Sequence, residues 1–356
     1  MRIGKLTNQE LQEIVISRLP SLSARTVTGA NVGADCAWIH MGTNMLVASS
    51  DPVTAGGMQS GRLAIHVSCN DIASCGVRPV GILLVIIAPP DTQKEELIHI
   101  IEQASETAAL LGVDIVGGHT EISDAVNRFV VTTTAFGIVD QVDLVPLGKA
   151  MPGDTLLMTK TAAIEGTWIA VMEHEDQLKG ILSQEQFAQA RAFLDQLSVV
   201  QEGVLAVSCP LMESDPPSDS PTNSLSNSTA NDSSRSPLNS AVHLMHDATE
   251  GGILGAAYEM ADFSGTGIFI DASAIPVHPV TKAVSEALGL DALRLISSGS
   301  MLIATPEPEK VMEKLLQSHI SCTAIGKFTQ EGFFFREDHQ EMKILQPPAS
   351  DELYRM

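Results

Sequence analysis

The sequence predicts an α/β (α+β) protein of two domains. Strand-like and helix-like patterns alternate in both halves, which is the mark of mixed sheets covered by helices. Hydrophobic residues make up 44% of 356 residues, enough to bury two cores of ordinary size. A turn-rich break near Pro146 separates the halves, giving expected units of 1–148 and 149–340. Aromatic residues are only 4%, so the cores must be built from Ala, Val, Ile, Leu and Met.

The elements follow from periodicity. Residues Asn8 to Arg18 form an amphipathic helix pattern with Leu11, Ile14, Val15 and Leu19 on one face. After the loop Gly29–Asp35, two short strands run from Cys36 to His40 and from Asn44 to Ser49, and Pro52 is expected to stop the second. Gly61 to Cys75 is helical, with small residues Ala64, Ser68 and Ala73 on one side. Ile82 to Ala88 is too apolar for a surface segment and predicts a central strand. Glu95 to Leu111 is a helix with Leu97, Ile101, Ala104, Ala108 and Leu111 in register. Val113 to Val116 is a strand that ends at Gly117-Gly118, and the Val/Thr-rich run Phe129 to Val139 is a long strand.

The second half opens with the turn at Met151–Asp154 and a strand over Thr155 to Thr159. Helices are expected over Thr167–Glu173, Gln184–Gln196, Val280–Ala287 and Pro308–Gln317, with one more after Gly251-Gly252. Strands are expected at His243–Met245, Gly267–Ile270, Met301–Ala304 and Thr323–Lys327. Between them, Glu213 to Ser240 is dominated by Ser, Pro, Asn and Asp. Such a segment cannot bury enough surface to offset its ordering entropy and is expected to be a disordered insertion.

The formal net charge of -22 excludes a nucleic-acid partner bound through phosphate neutralisation. It does not exclude ATP, because magnesium can stand between carboxylates and phosphates. The N-terminal residues lack the apolar run of a signal peptide, and Gly81–Ala88 is too short to span a bilayer, so a cytoplasmic location is expected. The five cysteines are scattered, with no CxxC pair, as suits reduced thiols.

Five motifs carry possible chemistry. Gly33-Ala34-Asp35 places a carboxylate after a glycine-rich loop, though a plain hairpin turn would look similar. Ser49-Ser50-Asp51-Pro52 puts a second carboxylate at a strand end. Asn70-Asp71 interrupts the apolar side of a helix, and a buried unpaired Asp is costly, so Asp71 either faces solvent or holds a cation. Gly117-Gly118-His119-Thr120-Glu121 offers backbone amides to a phosphate and a carboxylate to magnesium. His246-Asp247-Ala248-Thr249-Glu250-Gly251-Gly252 joins a strand to a helix start, where free amides favour an anion. An ordinary helix cap explains that last motif almost as well. As a set, they suggest an interdomain cleft for magnesium and a polyphosphate.

These motifs, in this order from about Gly29 to Lys327, resemble the AIR synthase superfamily, and most of all its HypE members. The resemblance implies a PurM-like fold. Its N-terminal α/β domain pairs its sheet with that of a second subunit, and its second domain is also α/β. It implies ATP near the dimer interface. Magnesium falls to Asp35, Asp51, Asp71 and Glu121, and the phosphates to Asn70, Gly117, Gly118, Thr120, Thr249, Gly251 and Gly252. His246 and Asp247 are the candidates for proton transfer. Ala34 replaces the first Asp of the family loop, and no cysteine follows Cys322, where HypE proteins carry their reactive terminal cysteine. The expected activity is ATP-dependent activation of a carbonyl or amide oxygen in metalloenzyme maturation. A small-molecule kinase and a non-catalytic nucleotide-binding scaffold that docks a maturation partner are the alternatives. The apolar strands at Gly81–Ala88 and Phe129–Phe136 predict a homodimer.

Overall fold

The computed structural model describes residues 4–140, 148–211, 240–337, 341–348 and 351–355. The turn at Pro146 and the Ser/Pro/Asn/Asp-rich insertion lie outside them, except Ser240. That residue is buried and forms a β-bridge with Pro210, so it belongs to the folded part. Thr7 caps the first helical turn, α1 (Asn8–Glu10), by a capping box with Glu10. The stretch continues as a π turn over Leu11–Val15 and a 3-10 turn over Ile16–Arg18. The amphipathic helix expected here is therefore irregular, and Ile14, Val15 and Leu19 remain exposed.

The first sheet is built from β1 (Thr26–Thr28), β2 (Ala37–Met41), β3 (Asn44–Val53), β4 (Pro79–Ala88), β5 (Asp114–Ile122) and β6 (Val130–Asp140). Its spatial order is β1-β2-β3-β6-β4-β5. Helix α2 (Ser60–Ser74) connects β3 to β4, and α3 (Lys94–Leu111) makes the crossover between the parallel pair β4 and β5. Two expectations fail here. β3 does not stop at Pro52 but pairs through Val53 with β6, Pro52 standing opposite Thr132. β2 pairs only as far as Ala48, so one edge of β3 is open around Pro52, where a missing N–H is tolerated. Nor do Gly117 and Gly118 end a strand, because β5 runs through them to Ile122. Gly118 has φ 149, and a Cβ there would overlap the Leu84 backbone, so the glycine serves close strand approach.

The second sheet contains β7 (Thr155–Thr159), β8 (Leu244–Asp247), β9 (Gly267–Asp271), β10 (Met301–Thr305), β11 (Cys322–Thr329), β12 (Phe333–Arg336) and β13 (Lys343–Ile344). Their order is β13-β12-β9-β11-β7-β10-β8. Around them lie α4 (Ile164–Glu173), α5 (Glu175–Leu178), α6 (Gln184–Ala192), α7 (Val200–Val207), α8 (Gly252–Ser264), α9 (Pro279–Leu288) and α10 (Pro308–Leu316). The folded chain passes the expected limit at residue 340: Leu345 and Asp351 are both buried. Among the described residues no helix is long and apolar enough to cross a membrane.

Helix α2 holds the two halves together. Thirteen of its 15 residues are buried, which makes it a core helix on all sides rather than an amphipathic one. One side meets the first sheet, with the Thr133 hydroxyl donating to the Ala64 carbonyl at 2.8 Å. The other meets α7 and β8, and one hydrophobic cluster joins Ile65 and Ile72 to Leu157, Val200, Met245 and Ile303. Asn70 fastens the same junction. Its amide donates to the Leu197 carbonyl at 2.8 Å and accepts the Val199 N–H at 2.9 Å.

The opposite face of the first sheet is open. Helices cover the side of Ile82, Leu84 and Ile86, whereas Leu83 and Ile138 are exposed. Gly61, on the covered side, is where α2 crosses α3, and a Cβ there would overlap the Ile100 carbonyl. Gly61→Ala is expected to cost about 1–3 kcal/mol by overpacking. Urea unfolding measures it as a lower midpoint with an unchanged slope.

Candidate functional site

The cleft between the two sheets is lined by both halves of the chain and has a volume of ≈ 720 Å³. Its first-half wall carries Asp35 from the loop before β2, Asp51 from β3 and Asp71 from α2. Its second-half wall carries His246 and Asp247 at the end of β8, Glu259 from α8 and Glu165 from α4. β8 is an edge strand lying against α2, so Asp71 and Asp247 approach each other across the domain junction.

The groups are tightly arranged. Ser49 donates to Asp71 at 2.6 Å and to Asp51 at 3.3 Å. Ser74 donates to Asp35 at 2.9 Å. His246 bridges the walls, with Nδ1 2.9 Å from the Asp35 carboxylate and Nε2 3.2 Å from Glu259. Asp247 is fully buried, and neither of its carboxylate oxygens has a hydrogen-bond partner among the described residues. Ligand atoms of Asp35, His246 and Asp247 lie within 4.8 Å of one another.

Electrostatics follow from this crowding. Burial pushes the Asp71 carboxyl well above the usual range, and Asp247, Asp51 and Asp35 push it further. Burial and Asp35 raise Asp247 to about 7, against the opposing pull of His246. Burial disfavours charge on His246, but Asp35 and Glu259 outweigh it and raise its pKa well above the ordinary value. Asp35 and Glu259 therefore favour the protonated form of His246, which suits it to donate a proton. A site of four neighbouring carboxylates with one orphaned acid suits a hard divalent cation taking oxygen ligands, as magnesium does.

Other expected residues lie elsewhere. Gly117, Gly118, Thr120 and Glu121 sit on β5, at the far edge of the first sheet, and do not line the cleft. Glu121 is paired with His119 at 3.2 Å. By strand alternation Gly117, His119 and Glu121 share the open face with Leu83 and Val85, opposite to the face bearing Asp51. Asn70 is fully buried and committed to the backbone bonds described above. Thr249 lines the cleft, where Lys5 Nζ reaches its hydroxyl at 3.3 Å. Gly251, at φ 88, caps α8, but its N–H donates to Asp351 at 2.6 Å. The amide expected to face phosphate therefore holds a carboxylate of the chain itself, and Gly252 lies behind it with its N–H on the Thr249 carbonyl. Glu165, Glu259 and Asp351 are not signalled by any local motif.

Family models place these observations. "AIR synthase related protein, N-terminal domain" matches residues 33–139, and "AIR synthase related protein, C-terminal domain" matches 227–338. The chain belongs to the AIR synthase related family. It is similar to a putative hydrogenase expression/formation protein of Methanocaldococcus jannaschii, at 25% identity over 92% of this chain and 89% of the relative. It is equally similar to the carbamoyl dehydratase HypE of Cupriavidus necator, at 25% identity over 99% and 92%. The crystal structure of the hydrogenase maturation protein HypE in complex with ATP superposes with a TM-score of 0.66 at 18% identity, covering 98% of this chain and 94% of that one. That likeness confirms the PurM-like fold expected from the sequence.

Glu165 generates a pH prediction. Burial pushes its carboxyl from 4.5 to about 7, with the Ser298 hydroxyl opposing and Asp351, Glu250 and Asp247 adding to the rise. The folded state thus holds this proton more tightly than the unfolded state. Its stabilising contribution is full below about pH 4.5 and is lost as pH rises to about 7. Glu165→Gln, which cannot ionise, should be more stable than wild type by ~3 kcal/mol at alkaline pH and similar in acid. Denaturation in chelator at both pH values measures this; an equal difference at both would contradict the assignment.

Proposed function

We propose that the chain binds ATP with magnesium in this cleft and transfers a phosphoryl group to a carbonyl or amide oxygen, activating it, as a HypE-like enzyme of metalloenzyme maturation. The observation that carries the reading is the group of four carboxylates gathered where the two sheets meet, Asp71 and Asp247 buried and Asp35 and Asp51 half-buried beside them. Burying several like charges together is unfavourable unless a cation shares them. Asp35, Asp51, Asp71 and Asp247 would hold magnesium, which when bound neutralises phosphate charge.

The chain's own groups would do the rest. The imidazolium of His246, fixed from both sides by Asp35 and Glu259, carries a proton at a defined place and can donate it to an oxygen that gains charge. Ser49 and Ser74 fix the carboxylates in orientation, so little reorganisation is needed during transfer. Thr249 and Lys5 at the rim are the available phosphate donors.

A homodimer completes the proposal. The open face of the first sheet carries exposed Leu83 and Ile138, a surface suited to a second copy. The cleft reaches this face, because Ser50 and Pro52 line it at the free edge of β3. A two-fold partner stacked there would bring its own Gly117 and Glu121 into the interface, where they can contribute to the neighbouring nucleotide site.

Calorimetry with ATP is expected to give binding in magnesium and none in excess chelator; equal binding in both would remove the metal from the account. Asp51→Asn and Asp71→Asn should each lower ADP release at least about 10- to 100-fold with the fold retained, the scale of a disturbed metal site. Light scattering should give twice the 37.8 kDa of one chain, and a monomer mass unchanged by nucleotide would contradict the shared site.

A further inference from the structure

We propose that Cys36 and Cys75 are a redox-sensitive dithiol behind the metal site, and that a low-molecular-weight disulfide entering the cleft oxidises them to an internal disulfide that weakens magnesium binding. The proposal rests on the reading that Asp35 and Asp71 hold the cation, and it adds a means of regulating that site.

Two segments distant in sequence are laced together at this point. One is Asp35-Cys36, just before β2. The other is the last turn of α2, which ends at Ser74 with Cys75 as its cap. The Cys36 thiol donates to the Asp71 carbonyl at 3.2 Å. The Ser74 hydroxyl lies between the same segments, 2.7 Å from the Asp71 carbonyl and 2.9 Å from the Asp35 carboxylate. Cys75 follows Asp71 by four residues, about one helical turn, so its side chain stands beside the carbonyl on which Cys36 rests. The two thiols meet there as hydrogen-bond partners. Both are buried in the same cluster, and all five cysteines of the chain are free.

The thiols differ in access, which gives each a role. Cys36 lines the cleft, whereas Cys75 stands behind it. The Cys36 thiolate attacks a small disulfide R–S–S–R, a mixed disulfide forms, and one R–S⁻ leaves. The Cys75 thiolate then attacks the Cys36 sulfur and expels the second R–S⁻. The leaving thiolates take up the two thiol protons, so the protein is oxidised by two electrons and the small disulfide is reduced to two R–SH. Burial, Cys75 and the neighbouring acids push the Cys36 thiol up, so the exchange is slow and the pair stays reduced until the oxidant is in excess. The product costs the site its lacing. A disulfide sulfur has no proton to donate, so the Asp71 carbonyl loses the Cys36 bond. The S–S bond also draws the residue next to Asp35 onto the end of the helix that carries Asp71. Disturbing the groups that orient metal ligands changes affinity by about 10- to 100-fold.

The test treats the full chain with excess bis(2-hydroxyethyl) disulfide at mildly alkaline pH, blocks the remaining thiols and maps the peptides by mass. Wild type is expected to gain a Cys36–Cys75 cross-link that dithiothreitol reverses, and Cys75→Ala to gain none. The thermal midpoint is then followed over a magnesium titration. Oxidised wild type should bind magnesium at least about tenfold more weakly than reduced wild type, and Cys75→Ala should be indifferent to the oxidant. Cys75→Ser takes its place if the alanine variant does not fold. Cys69→Ala, which removes another buried thiol of α2, should still form the cross-link. Four results would each overturn the proposal: no cross-link after exhaustive treatment, a mixed disulfide on Cys36 that never closes, an equal loss of magnesium affinity in Cys75→Ala, or cross-linked protein that binds magnesium as tightly as reduced protein. Reduced wild type that ignores magnesium, with the cross-link still forming, would instead remove the metal reading and leave the thiol chemistry standing.

Discussion

Mutual repulsion among Asp35, Asp51, Asp71 and Asp247 is the constraint around which this fold is arranged. At an effective dielectric of about 20, two charges 4 Å apart interact by roughly 4 kcal/mol, and the burial of Asp71 and Asp247 removes water that would screen them. The chain answers only in part. His246 shares its single positive charge between Asp35 and Glu259, and burial favours the protonated forms of Asp71 and Asp247. Among the described residues no arginine lines the cleft. A fold optimised for stability alone would not press four acids together, and perturbed titration in a cleft is a mark of functional sites. The junction that enforces the crowding is α2, buried on every side and stitched by Asn70 to the segment before α7. The residue expected to bind phosphate instead holds the two halves in the geometry that gives the cluster its character.

Much of this was legible in the sequence, for identifiable reasons. Asp35, Asp51 and Asp71 stand out because each breaks an apolar pattern beside glycine, serine or asparagine, and His246-Asp247 stands out beside Gly251-Gly252. The cleft gathers these residues. The errors come from local rules overridden by partners distant in sequence. Pro52 is a strand breaker only where its N–H is needed, and the end of β2 leaves it free. Gly117-Gly118 looks like a phosphate loop, yet Gly118 lets β5 approach the backbone of β4. Glu165 and Glu259 carry no local signal, since glutamate is an ordinary helix residue. Only the packing of α4 and α8 gives them meaning. The short α7 and strand β12 also escaped the reading, being too brief for periodicity to declare them.

The C-terminal segment links the two ends of the cleft. Asp351 occupies the amide at the start of α8, where an anion is favoured, and Glu352 accepts the Asp291 N–H at 3.1 Å. Tyr354 donates to Glu250 at 3.1 Å, and Leu353 and Tyr354 both line the cleft. The segment thus takes the anion seat of the second domain for the protein itself.

The central claim is that the clustered carboxylates exist to share a divalent cation. Thermal unfolding of the full chain at alkaline pH, over a magnesium titration at constant ionic strength, tests it most directly. A cation that binds only the native state raises the midpoint as its concentration passes the dissociation constant. The account predicts a saturable rise in wild type that is abolished in Asp71→Asn. A midpoint indifferent to magnesium in wild type, or an equal rise in Asp71→Asn, would contradict it.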